Sequence, residues 1–281
     1  MPELPELEVV RDVLRRRVIG ETITRVQTIQ PGAAIVIRDL TGVGAVKALT
    51  AACFDVVERR GKFLVLTCST GSETLYLVIN PRLTGRLQLA ATKDKKAGKT
   101  HLILTLSGGK ELRYVDQKQM GQFYLSRKAP ADAGIPDYAD LGPEPLEVSL
   151  AEFKQRLRKF QGEIKGILIR GEFIAGIGNA YADEILWEAQ LHPYRKRTSL
   201  SQEEIAQLYQ GMHTCLQAAT EKVRAEMGES IHLKPRDFLN VHMKTDQPCP
   251  RCGGMISEVT ANQRITNFCR TCQPGGLIKG M

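Results

Sequence analysis

The chain has 281 residues, 42% hydrophobic and 25% charged, a balance that suits a globular protein of one large domain or two modest ones. No run approaches the roughly 18 apolar residues that span a bilayer, and MPELPELEVV puts acids where a secretory signal needs basic residues, so a soluble cytoplasmic protein with no membrane partner is expected. The net charge of +8 points to a polyanionic partner, although mild basicity is common in soluble proteins.

The surplus is uneven. Residues 151–229 balance, whereas 230–281 hold Lys234, Arg236, Lys244, Arg251, Arg264, Arg270 and Lys279 against three acids.

The first predicted element is a helix over 5–19. Leu7, Val10, Leu14 and Val18 follow the 3.6-residue period, Pro5 suits the first turn and Gly20 ends it. Removal of Met1 would leave Pro2 as a secondary amine. A terminal amine has a pKa near 8, so part of it is unprotonated at neutral pH and can attack a sugar C1′ to form an iminium. Glu3 and Glu6 are close enough in sequence to shuttle protons. A plain helix start explains the same residues, since Pro and Glu both favour a first turn.

From about 22 to 126 the chain consists of short Val-, Ile-, Thr- and Leu-rich segments broken by Gly, Asn and Pro, with a hairpin turn expected at SGG 107–109. This predicts a β-sandwich or barrel with the leading helix packed on it. Residues 127–149 hold four of the thirteen prolines and show no period, which marks a linker. Helices are expected at 150–160, 164–169, 178–190 and 201–228, the last opened by a Ser201/Glu204 capping box.

In FIAGIGNAYADE (173–184), Gly176 and Gly178 free the backbone where Asn179 begins a helix, an arrangement that suits a phosphate. A glycine turn between packed helices fits it equally.

Cysteines 53, 68 and 215 read as small core hydrophobes. Cys249, Cys252, Cys269 and Cys272 form two CxxC pairs separated by 16 residues, the spacing of a closed four-thiolate zinc site. Two disulfides or a redox pair are the alternatives; the lack of a secretory signal disfavours the first, and the doubling of the motif disfavours the second. Between the pairs, ISEVT and QRITNF alternate like a β-hairpin with TANQR as its tip, presenting Arg264 to a phosphate.

PELPE at the start, RRGKFL at 59–64, AGIGNAYADE at 175–184 and a terminal finger ending in CxxCQ occur together and in this order. In these motifs the chain resembles the Fpg/endonuclease VIII family of formamidopyrimidine-DNA glycosylases, over essentially its whole length. The resemblance implies an α+β fold, with an N-terminal catalytic helix plus β-sandwich over 1–126 and the linker at 127–149. A helix–two-turn–helix domain over 150–230 and a lesion-side loop with zinc finger over 231–281 would follow. It implies one structural zinc ion, a monomer, and damaged duplex DNA bent sharply in the cleft between the domains, in a bacterial cytoplasm.

By the same likeness Pro2 is the Schiff-base nucleophile, Glu3 protonates the deoxyribose ring oxygen and Glu6 supports them. Lys62, Asn179 and Arg264 grip phosphates around an extruded nucleotide, and Lys165 lies near that nucleotide.

The chain departs from the family where the duplex is filled and the lesion read. Asn80 and Leu83 stand for His and Met, Lys118 and Met120 for Arg and Phe, and Arg170-Gly171 for an Asp-Gln-like pair. Segment 228–247 also lacks the usual glycine and aromatic pattern. Leu83 and Met120 can still wedge apolarly, but Lys118 cannot make the bidentate contact an Arg makes to an orphaned base.

The expected function is therefore a bifunctional glycosylase and AP lyase for oxidised or ring-opened purines, with altered lesion preference. The rivals are a lyase directed to abasic, crosslinked or single-stranded DNA, and a non-catalytic damaged-DNA binder, which a retained Met1 would favour because it turns the Pro2 nitrogen into an amide.

Overall fold

The computed structural model describes residues 1–71, 73–261 and 264–275, which form two compact units. The first comprises Met1–Ala139 with Val223–Pro235, the second Asp140–Lys222 with Arg236–Met281.

In the first unit, helix α1 (Leu4–Val18) buries Leu4, Leu7, Val10, Leu14 and Val18, together with Val9 and Val13. Glu6 lies in its first turn and Arg15–Arg17 in its last, each complementing the helix dipole. Arg15 Nε donates to the Val57 carbonyl at 2.6 Å, and Gly20, at φ +82°, turns the chain so that its N–H reaches Phe54 O at 2.8 Å. There follow β1 (Ile23–Thr28), α2 (Gly32–Val36), β2 (Ile37–Asp39), α3 (Ala45–Leu49), β3 (Cys53–Arg60), β4 (Phe63–Thr70), β5 (Glu73–Asn80), β6 (Gly85–Ala91), β7 (Thr100–Leu106), β8 (Lys110–Asp116) and β9 (Gln122–Ser126).

The strands form a four-stranded sheet in the order β1-β7-β8-β6 and a five-stranded sheet in the order β2-β9-β5-β4-β3. All pairs are antiparallel except β2–β9. Tyr114 of the first sheet and Phe123 of the second meet edge to face at 5.9 Å, so the two sheets share one apolar core. Ser107–Gly109 is the β7–β8 turn.

The one-turn helices α2 and α3 depart from the all-strand expectation. Their Ala-containing stretches GAAIV and AVKAL are too short for any period to register.

The second unit carries α4 (Leu150–Leu157), α5 (Ile164–Leu168), α6 (Asn179–Glu188), α7 (Gln202–Met227) and the hairpin β10 (Ile256–Ala261)–β11 (Arg264–Cys269). Ser201 and Glu204 form the expected reciprocal cap, with Ser201 N to Glu204 Oε2 at 2.8 Å and Glu204 N to Ser201 Oγ at 3.2 Å. Phe173, from the turn between α5 and α6, stacks edge-on against Phe153 and Phe160 at 5.2 and 5.3 Å and seats that turn in the core. Gly176 takes φ +86°, a left-handed conformation that glycine adopts without a Cβ clash. The expected hairpin tip includes residues 262 and 263, which lie outside the described residues.

The last turn of α7 belongs to the first unit. Arg224 pairs with Asp12 at 3.0 Å and Glu229 with Arg17 at 2.7 Å, so the segment after the helix is held to α1.

Candidate active site and zinc centre

Pro2, Glu3 and Glu6 sit together at the start of α1, all buried. The Glu3 N–H donates to Glu6 Oε2 at 2.9 Å, closing a capping box. One acid thus orients the residue that carries the other. With Met1 attached the Pro2 nitrogen is a tertiary amide; with Met1 removed it is a secondary amine.

Pro2 and Glu6 line a small recess, whose walls include Tyr114, Arg86, Ile231 and Lys234. Residues 231–234 come from the segment that the sequence resemblance places over a lesion base.

Lys62 lies on the β3–β4 turn. Arg59, one residue from the end of β3, bonds to Glu8 of α1 at 2.5 Å and to the Gly61 carbonyl at 3.0 Å, which anchors that turn to the nucleophile-bearing helix.

Leu83, Lys118 and Met120 are exposed at the tips of two neighbouring turns. A buried carboxylate joins those turns. Asp116 accepts from the Thr84 hydroxyl, from Lys118 N at 3.3 Å and from Gly121 N at 2.7 Å. Gly121 has no room for a side chain, since a Cβ would fall 1.7 Å from the Tyr114 hydroxyl. The structure therefore brings the three wedge candidates onto one rigid platform. Thr84 and Asp116 lie within the two motif segments the sequence brings out, but their pairing across those turns is tertiary and has no signal in either segment.

In the second unit, Arg264 opens β11 and is exposed, and its side chain has no hydrogen bond or ion pair among the described residues. Asn179 opens α6 but spends one amide N–H on the Ile265 carbonyl at 2.8 Å.

Lys165, expected near the nucleotide, lies at the start of α5. It is 5% exposed, and its ammonium faces Ile265 O at 3.0 Å, Thr266 Oγ1 at 2.8 Å and Asp183 Oδ1 at 2.7 Å. Lys165 and Asn179 both brace the backbone beside Arg264.

Asp183 also meets His242 Nδ1 at 2.8 Å, and Glu184 accepts from the backbone N–H groups of Asn240, Val241 and His242. Sequence reasoning missed these carboxylates because AYADE reads as an ordinary helix face.

The four finger sulfurs lie within 4.8 Å of one another, with Cys249–Cys272 at 3.8 Å and Cys252–Cys269 at 3.5 Å. A tetrahedral zinc–thiolate site with bonds of about 2.3 Å places its sulfurs about 3.8 Å apart, so the cluster fits the ion. Burial pushes the Cys249 thiol up, but the Trp187 indole N–H and the backbone N–H groups of Arg251 and Cys252 outweigh it and hold the group at about 6. Burial and the neighbouring sulfurs push Cys272 up to about 12. Four thiolates in this space need a cation, and zinc supplies it.

Around the site, Trp187 donates to Cys249 Sγ at 3.3 Å under the Arg251 guanidinium, 4.0 Å from the ring centre. Gln273 ties Cys269 N to the Leu191 carbonyl, each at 2.9 Å. Elemental analysis should find one zinc per chain. Cys269→Ser should lose it and melt the hairpin that carries Arg264; wild-type protein purified without zinc yet with an ordered hairpin would refute the assignment.

A zinc-braced DNA-binding module combined with a buried proline–glutamate terminus defines a class, the DNA glycosylases that also cut the strand. Three family models match: the formamidopyrimidine-DNA glycosylase N-terminal domain over residues 1–123, its H2TH domain over 141–229, and the zinc finger found in FPG and IleRS over 246–275. Formamidopyrimidine-DNA glycosylase of Pelotomaculum thermopropionicum is 37% identical, covering 97% of this chain and 99% of the relative. That of Enterococcus faecalis is 35% identical, covering 97% of each.

Among solved structures, Lactococcus lactis Fpg with abasic-site DNA superposes with a TM-score of 0.82 at 28% identity, covering 97% of this chain and all of that one. Its complex with DNA containing N7-benzyl-Fapy-dG gives 0.83 at 29% identity, covering 98% of this chain and all of that one. The chain belongs to the formamidopyrimidine-DNA glycosylase family. It is a DNA glycosylase with AP lyase activity, its partner is DNA, and it carries one structural zinc ion. No helix among the described residues is long and apolar enough to cross a membrane.

Proposed function

We propose that this enzyme excises oxidised or ring-opened purines from duplex DNA as a monomer in the bacterial cytoplasm, with the amino-terminal cluster supplying the chemistry and Lys62, Asn179 and Arg264 the phosphate grip. The carrying observation is the Pro2–Glu3–Glu6 cluster, buried beside its own recess. In this reading the lone pair of the freed Pro2 nitrogen forms a bond to C1′ as the base leaves with the glycosidic electron pair, and the proton shed by the alkylated nitrogen goes to the departing base. Glu3 gives a proton to O4′ as the C1′–O4′ bond opens, leaving an iminium. Loss of a C2′ proton then expels the 3′ phosphate, and water releases the sugar remnant from the amine. Lys62, Asn179 and Arg264 serve the backbone, Arg264 directly and Asn179 partly through Ile265.

Leu83 and Met120 fill the vacated stack. Flipping a nucleotide costs a few kcal/mol, and apolar insertion offsets it without reading the orphaned base. Lys118 contributes a single point charge where a guanidinium would make two parallel bonds, so opposite-base discrimination should be weak. Duplexes bearing ring-opened purine, oxidised purine or an abasic site, each against all four opposite bases, test both points when scored for base release and strand cleavage. Release from the purine lesions with less than about tenfold spread across opposite bases is expected. Cleavage of abasic sites without any base release would replace this reading with that of a dedicated abasic-site lyase.

A further inference from the structure

The first unit carries a charged surface that the reaction above does not use. Between β6 and β7 the chain reads TKDKKAGK, residues 92–99, with Lys93, Lys95, Lys96 and Lys99 all exposed. Among the described residues no carboxylate lies within ion-pair range of any of the four ammonium groups. The single acid, Asp94, spends Oδ2 on Ala91 N at 2.8 Å as part of the turn.

Such a loop would ordinarily be a solvated, self-repelling excursion. This one is built rigid from below. Arg113 of β8 is fully buried, pairs with Glu111 at 2.6 Å, and donates to the carbonyls of Ala91, Asp94 and Lys95 at 3.1, 3.0 and 3.3 Å. Thr100 Oγ1 closes the far end on Ala97 O at 2.7 Å. Burying a guanidinium costs free energy that pairing must offset, and here it holds four like charges in one place.

The loop is also joined to the wedge platform. Asp116 N donates to Lys99 O at 3.0 Å and Gln117 Nε2 to Gly98 O at 3.3 Å, on the segment that presents Lys118 and Met120.

We propose that the Lys93–Lys99 loop is a second DNA-backbone surface that engages duplex phosphates flanking the wedge and lengthens the footprint beyond the lesion. A preformed row of unneutralised ammonium groups gains by releasing the counterions condensed on DNA, and phosphate contacts carry no sequence information. The effect should therefore be the same on damaged and undamaged duplex. The proposal rests on the duplex-DNA reading above.

The test uses the full zinc-loaded chain with Lys93→Gln, Lys95→Gln, Lys96→Gln and Lys99→Gln combined. A control carries Lys47→Gln, Lys128→Gln, Lys159→Gln and Lys196→Gln, and thermal midpoints establish that both fold. Binding to a 30-base-pair undamaged duplex, an abasic-analogue duplex and a 30-nucleotide single strand is measured between 50 and 300 mM salt.

The loop variant should lose on the order of 10- to 100-fold in affinity at low salt, and its log–log salt slope should fall by about two to four units on both duplexes. The control should lose clearly less. An unchanged slope, an equal loss in the control, or a loss confined to the single strand would each overturn the proposal. Failure of the wild-type protein to bind either duplex would instead remove the reading on which it rests.

Discussion

A non-removable extension at the N-terminus should abolish borohydride trapping of the enzyme on abasic DNA, a loss on the order of a thousandfold or more. Trapping requires an unprotonated amine that can form an iminium, and an acylated Pro2 nitrogen has no basic lone pair. With Met1 removed, intact mass should fall by one methionine, and the trapping rate should rise with pH until the terminal amine is deprotonated, near pH 8 for an ordinary terminus.

Glu3→Gln separates the two steps. An abasic sugar already populates the open aldehyde, so iminium formation survives in part, while base excision, which needs ring opening by a proton donor, should fall by about 10²–10⁴. The Glu3 N–H to Glu6 bond predicts a milder, positioning effect for Glu6→Gln, since an amide oxygen can still accept it. Lys62 is the rival amine, held near α1 by the Arg59–Glu8 pair. Trapping that survives the blocked terminus and disappears in Lys62→Ala, with DNA affinity unchanged, would transfer the nucleophile to the lysine.

The parts of this fold legible in the sequence are those with local causes. The period of Leu7, Val10, Leu14 and Val18, the Ser201 cap, the SGG turn and the paired CxxC each act within a few residues, and each element lies where these signals place it. The illegible part consists of single polar residues whose meaning is tertiary. Arg113, Asp116, Asp183 and Glu184 look like surface charges in their segments, yet all four are buried and organise loops distant in sequence. Nothing in KELRYVD says that its arginine reaches back to hold residues 91–95. The catalytic terminus lies between these cases. Its residues are plain in MPELPE, but only burial beside a recess separates a reactive cluster from a helix start.

Lys165→Met should cost about 3–5 kcal/mol of stability, because it leaves the Asp183 carboxylate buried without its cation. It should also weaken binding to every duplex, damaged or not, through the backbone it braces rather than by direct contact. The ammonium ties Asp183 of α6 to the Ile265 carbonyl and the Thr266 hydroxyl, so its loss frees the backbone that aims Arg264.

Arg264→Ala by itself should flatten the salt slope by about one unit. If Lys165 acts through Arg264, the double variant binds no worse than the weaker single one, a coupling that a double-mutant cycle reads directly. Pairing Lys165→Met with Asp183→Asn should recover part of the stability by removing the stranded charge, without restoring affinity. Additive losses in Lys165→Met and Arg264→Ala, or a loss of affinity in Lys165→Met at undiminished stability, would show the lysine reaching the DNA itself, as the sequence resemblance implies.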